Sequence, residues 1–261
     1  MTKPIIYEHP LNERIRVMLR LEHLFSQASH FLVGTSPWDS RAFLDTLNEI
    51  LDIFGRGDLK TELLKEIERA TANLAQIQSQ LQQFGGAHQV DDTRLQTILR
   101  TLERLGQNIH NFAGQFGQEL REDEFIAMIR QRMSIPGGTC DFDLPAYHFW
   151  LAQPVAQRRA DQNRWYQTLN PIRQSVELLL KLMRNSADPE PLEAVGGIYQ
   201  QTLRSHLPYQ LLRVMVAPDL PWYVEVSGNR HRFTIRFRLP GADRSNTPET
   251  QVPFQLSCCS L

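Results

Sequence analysis

Apolar residues recur at helical spacing from residue 11 to about residue 187, and at alternate positions beyond it. Leu11, Ile15, Met18 and Leu19 open an amphipathic segment that reaches about Phe31. Asp39 is placed as the N-cap of the next helix, where Phe43, Leu44, Leu47, Ile50, Leu51 and Phe54 form one stripe. Gly55-Arg56-Gly57 interrupts that stripe, and Asp58 caps a successor carrying Leu59, Leu63, Leu64, Ile67, Ala70, Leu74, Ile77 and Leu81. Gly85-Gly86 ends it. Further stripes run from Leu95 to Ile109, from Phe125 to Met133 and, after the helix-starting pair Asn170-Pro171, from Ile172 to Met183.

Beyond Asp188-Pro189 the period falls to two. Tyr209–Ala217, Pro221–Ser227, Arg230–Leu239 and Val252–Cys258 read as strands separated by Pro, Gly and Asn clusters. Cys140–Leu144 also alternates, and Ile5-Ile6-Tyr7 is a further short strand. Such isolated pieces are stable only inside a larger sheet. The pattern therefore predicts an α+β fold. An α-helical bundle takes residues 20–125 and 160–188, and a smaller, mostly antiparallel β-domain takes residues 1–19, 126–159 and 189–261.

Composition narrows the function. The 261 residues are 41% hydrophobic and 22% charged, with a formal net charge of −1, which implies a folded core and excludes wholesale disorder. A charge so near zero argues against a protein coated for nucleic acid or anionic membrane. No stretch is both long and apolar enough to span a bilayer, and the N-terminus shows no signal-peptide h-region. Three cysteines make no disulfide framework, so a cytoplasmic protein is expected. Recognisable chemistry is sparse. Gly55–Lys60 lacks the GK[ST] ending of a phosphate loop, Cys140, Cys258 and Cys259 lack metal-ligand spacing, and no HExxH occurs. His110 and His148 sit among aromatics and read as core residues, while Asp141 and Asp143 share one strand face with nothing to mark an acid/base pair. No catalytic role, cofactor or metal is expected.

The most informative stretch is Trp222–Arg238, WYVEVSGNRHRFTIRFR. A two-residue turn at Gly228-Asn229 pairs Glu225 with Arg232 and Val224 with Phe233, leaving one apolar face and one polar face. On the polar face Arg230, Arg232, Arg236 and Arg238 align with only Thr234 between them, and Arg213 on the preceding strand has the parity to join them. Arg204 to Arg238 holds six arginines, no lysine and two acids, Asp219 and Glu225. Arginine's planar fork favours carboxylate or phosphate partners, so this row reads as an anion-recognising surface. A nucleic-acid-binding regulator using the same face is the alternative. The helical stretch Asp39–Arg69, with eight acids against five bases, disfavours it.

In order along the chain, EHPLNERIRVMLRLE (8–22), ILDIFGRGDLKTELLKEIER (50–69), LREDEFIAMIRQRMSIPGGTCDFDLPAYHFWL (120–151), SGNRHRFTIRF (227–237) and QLSCC (255–259) resemble the ZapD family of bacterial Z-ring-associated cell-division proteins. The resemblance implies a cytoplasmic homodimer, acting at the mid-cell division site, with a helical domain and a β-domain. It implies binding to the C-terminal tail of the division GTPase FtsZ and cross-linking of FtsZ filaments into bundles, with no nucleic acid or membrane partner. The family's basic pocket, carried across, falls on Arg56 and Lys60 in RGDLK, Arg121 in LREDE, and Arg232 and Arg236. The chain departs from the family pattern at Glu124, where relatives carry arginine.

Overall fold

A computed structural model describes residues 3–55, 57–83, 89–204, 207–241 and 251–261. Arg56 and the glycine pair Gly85-Gly86 lie outside the described residues. The fold is α+β, as the sequence predicts, and the chain divides into two units: residues 19–178, and residues 1–18 with 179–261.

Among the described residues the helices are α1 (Glu13–Leu32), α2 (Pro37–Phe54), α3 (Leu59–Gln83), α4 (Gln89–His110), α5 (Gln118–Glu122), α6 (Glu124–Met133), α7 (Pro145–Ala152), α8 (Val155–Gln167) and α9 (Asn170–Arg184). The unit boundaries fall inside α1 and α9. All six stripe positions of α2 are buried. Its N-cap is Ser36 rather than Asp39. The Ser36 hydroxyl accepts from the Asp39 N–H at 3.1 Å, and the Asp39 carboxylate accepts from the Ser36 N–H at 2.9 Å, with Pro37 at the first helical position. Asp58 accepts from the Thr61 N–H at 3.1 Å at the start of α3, as its place in the sequence predicts.

Three helices escape the periodicity. In α8 the buried residues include Arg158 and Gln162, polar side chains that make no apolar stripe. Arg158 donates to the carbonyls of Leu151 and Thr35, which satisfies most of its buried guanidinium. Phe125, Tyr147, Trp150 and Trp165 gather around one another, with ring centroids 5.5 Å apart for Phe125–Trp150 and 5.8 Å for Phe125–Trp165.

The segment 126–159 belongs to this helical unit and not to the β-domain. Cys140–Leu144 is a run of turns, because the Cys140 carbonyl accepts from Leu144 and Pro145 starts α7 immediately afterwards. His110 and His148 are exposed rather than core residues.

The β unit holds two antiparallel sheets. One has the order β1 (Ile5–Pro10), β4 (Tyr209–Val216), β7 (Val252–Ser260), β2 (Glu190–Ala194); the other has β3 (Ile198–Thr202), β6 (Arg232–Arg238), β5 (Tyr223–Gly228). Leu212, Val214, Phe254 and Leu256 from the first share a core with Val224, Phe233, Ile235 and Phe237 from the second, so the sheets pack face to face. Strands β2 and β3 were not apparent in the sequence. They are joined through Gly196-Gly197, both left-handed at φ 59° and 69°, with Val195 bridged to Ile198. This is the two-residue turn that matches strand twist, and only glycine takes both positions without strain. It carries the chain from one sheet to the other.

The β5–β6 hairpin closes in a different register from the one predicted. Glu225 lies opposite Arg236, Val224 opposite Phe237 and Gly228 opposite Phe233. The reason is local. A two-residue primed turn at Gly228-Asn229 needs positive φ at Gly228, and at Asn229 too in the I′ form, and neither residue has it. Instead the Asn229 side-chain oxygen accepts from the N–H groups of His231 (2.9 Å) and Arg232 (3.2 Å), building a longer loop. The shift is four residues, an even number, so the side chains that remain in the strands keep their predicted faces.

Candidate partner-binding face

The outward face of the three-stranded sheet is set by the alternation of β6. Phe233, Ile235 and Phe237 point into the core at 0–2% exposure, so Arg232, Thr234, Arg236 and Arg238 point out. Across the strands Arg232 stands beside Thr202, Thr234 between Gln200 and Ser227, Arg236 between Ile198 and Glu225, and Arg238 beside Tyr223. A groove of about 770 Å³ runs over the loop end of this face, lined by Gln200, Thr202, Ser227, Asn229, Arg232 and Thr234 among others.

The three arginines are held to different degrees. Among the described residues the Arg232 guanidinium has no partner and is exposed. Arg236 donates to the neutral Ser227 hydroxyl at 3.2 Å. Arg238 is paired with the Glu225 carboxylate at 3.4 Å. Arg230, expected on the strand face, lies in the loop, where its Nε approaches His231 Nε2 at 3.0 Å.

Arg213 does not join them. It lies on β4 of the other sheet, where its Nε donates to Glu8 at 3.0 Å and its Nη1 to the Arg184 carbonyl at 3.3 Å. Arg184 grips the same carboxylate in a bidentate pair at 2.7 and 2.8 Å. Parity alone cannot reveal this, because it does not say which sheet a strand enters. Burial by itself would raise the Glu8 pKa. The hydrogen bonds and charges of Arg184, then Arg213, outweigh burial and hold the carboxyl below the ordinary 4.5. A depressed carboxylate pKa contributes stability that is present above the ordinary value and lost as pH falls through the folded one. Glu8→Gln, which removes the carboxylate charge that both arginines share, is expected to cost about 1–3 kcal/mol at neutral pH. Urea denaturation should show that gap narrowing below about pH 4; a constant gap would contradict the ion-pair account.

Two nominated cations lie in the helical unit and serve the backbone. Arg121 Nη2 donates at 3.2 Å to the Leu51 carbonyl, one of the last of α2, which also accepts from the Gly55 N–H. Burial, and then the charge of Arg130, lowers its pKa. Lys60 Nζ donates to the Phe112 carbonyl at 2.8 Å. Glu124 occupies the first turn of α6 behind the N-cap Asp123, a place where a helix N-terminus favours an acid.

The described residues hold no His/Cys/Asp/Glu cluster suited to a metal ion, and none of their helices is long and apolar enough to cross a membrane. Burial pushes the thiols of Cys258 and Cys259 up to about 11, away from nucleophilic chemistry at neutral pH. A larger groove of about 1020 Å³ follows the other sheet past Pro191, Met215 and Pro253. Its described lining carries Glu193 and Asp219 and no cation, the wrong sign for an acidic ligand.

A family model described as "ZapD: Cell division protein" matches residues 19–236. The chain is 42% identical to the "Cell division protein ZapD" of Methylococcus capsulatus over the full length of both. It is 40% identical to the protein of that name from Aromatoleum aromaticum, with 99% of each chain covered. Against its namesake in an Azoarcus species identity is 38%, over 98% of this chain and all of the relative. The chain belongs to the ZapD family of cell division proteins.

Proposed function

We propose that the chain binds the C-terminal tail of FtsZ through the outward face of β6 and, as a homodimer, cross-links FtsZ filaments at the mid-cell division site in the cytoplasm. The observation that carries this reading is the row Arg232–Thr234–Arg236. It stands outward on a strand fixed by three buried residues, with one guanidinium unpartnered among the described residues and the next on a neutral hydroxyl. Such a row receives the carboxylates of an acidic-apolar peptide without first breaking an ion pair. Arg230 and Arg238 flank it. Lys60 and Arg121 act indirectly by holding loop and helix ends, and Arg213 holds β1 through Glu8.

Exposed ion pairs contribute roughly 0–1 kcal/mol each, so two or three arginines do not supply the roughly 8 kcal/mol of a micromolar complex. Apolar contacts beside them supply the remainder, and Ile198 (41% exposed) and Tyr223 (37%) flank the row on either side. Two such sites on one dimer raise avidity by roughly 10²–10⁴ where both engage, which turns weak peptide capture into bundling. The role is one of binding, not catalysis. Sedimentation of GTP-assembled FtsZ with the chain tests the reading: the chain is expected in the pellet with bundled filaments, and its retention in the supernatant would overturn it.

A further inference from the structure

Glu225 lies in the middle of the arginine face. It is the direct cross-strand neighbour of Arg236, its carboxylate accepts from Arg238 Nε at 3.4 Å, and it is half exposed, so an incoming acid competes with it for the Arg238 fork. Resting on the reading above, we infer that Glu225 is a resident competitor: a carboxylate of the protein's own that occupies one end of the row and sets which acidic segments bind.

Its effect is graded along β6. Among the described residues Arg232 is open, Arg236 exchanges a neutral hydroxyl for the ligand, and at Arg238 the ligand meets the Glu225 carboxylate already in place. A ligand is therefore read first at Arg232 and Arg236. At about 3.3 Å per residue these lie about 13 Å apart. An extended peptide with acids four residues apart spans that distance, whereas acids four apart on a helix are only about 5–6 Å from each other and do not. The Arg232–Arg236 spacing thus favours extended segments of sparse acidity, and Glu225 disfavours a continuous acidic run that would need all three forks.

The test titrates two labelled peptides, the FtsZ tail and hexaglutamate, into the full-length wild type, Glu225→Gln and Asp219→Asn. Asp219 is exposed in the same unit and away from the face, so its variant makes the same change in net charge. Glu225→Gln is expected to tighten hexaglutamate about two- to fivefold, as loss of one competing exposed pair allows, and the tail by less. Asp219→Asn is expected to change neither by more than about 1.5-fold. Unchanged hexaglutamate affinity in Glu225→Gln, an equal gain in Asp219→Asn, or no hexaglutamate binding to any of the three proteins would overturn the inference. If hexaglutamate responds as expected while the tail binds none of them, Glu225 keeps its role and the FtsZ reading falls.

Discussion

Charge reversal at Arg232 or Arg236 is expected to abolish bundling of FtsZ while leaving the fold almost untouched. Each reversal removes an attraction of up to about 1 kcal/mol and installs a repulsion of similar size, about 1–2 kcal/mol in all. That weakens a single site roughly 5- to 30-fold. A cross-linker needs both of its sites at once, so the loss compounds to roughly 25- to 900-fold in bundling. Both side chains lie on the solvent side of β6, and substitution of such residues normally stays within about 0.5 kcal/mol. Melting temperatures should accordingly match the wild type. Arg100→Glu and Arg104→Glu make the same charge change at exposed positions of α4 and should still bundle. Light scattering of GTP-assembled FtsZ reads all four variants. Equal loss in all four would show a response to overall charge and no peptide site on the sheet.

The opposite behaviour is expected one residue away. Phe233 is 2% exposed, its ring centroid lies 6.3 Å from that of Tyr199, and it belongs to the core shared by both sheets. Phe233→Ala deletes a buried aromatic ring, and such cavities cost about 3–5 kcal/mol. Typical domain stabilities are about 5–15 kcal/mol, so much of the margin is removed. The site cannot relax easily, because the hairpin closes tightly on Phe233: a Cβ at Gly228 would lie 2.5 Å from the Phe233 Cβ. Chemical denaturation should show the midpoint falling steeply for Phe233→Ala and scarcely at all for Arg236→Ala. Similar midpoints for the two would mean that β6 does not divide into a core face and a binding face.

That division was legible in the sequence because period-two alternation is a property of the strand alone. Phe233, Ile235 and Phe237 against Arg232, Arg236 and Arg238 requires no knowledge of the partner strands. The α2 stripe was legible for the same reason. What depended on two places at once was not. The hairpin register turned on whether Asn229 closes a two-residue turn or caps a longer loop through its side chain, and both readings suit the residue pair Gly-Asn. Arg213 has the parity of the binding row but lies in the other sheet, held by a carboxylate 205 residues away in sequence. Strands β2 and β3 are short, and three of the four exposed positions of β3 carry glutamine or threonine, so no apolar alternation marks it. In α8 a buried arginine and glutamine replace the apolar stripe, and one carbonyl partner of the arginine, that of Thr35, comes from a distant segment. The Arg238–Glu225 contact follows from the register, so the competitor within the face became visible only with the fold.

The central claim, that the β6 row reads the FtsZ tail, is tested most directly by cosedimentation of the chain with GTP-assembled FtsZ, full-length against tail-deleted. The account predicts that the chain pellets with full-length filaments and bundles them. It should stay in the supernatant with tail-deleted filaments, and the Arg232→Glu and Arg236→Glu variants should stay there with both. Undiminished pelleting of wild type with tail-deleted filaments, or of either variant with full-length ones, would contradict it.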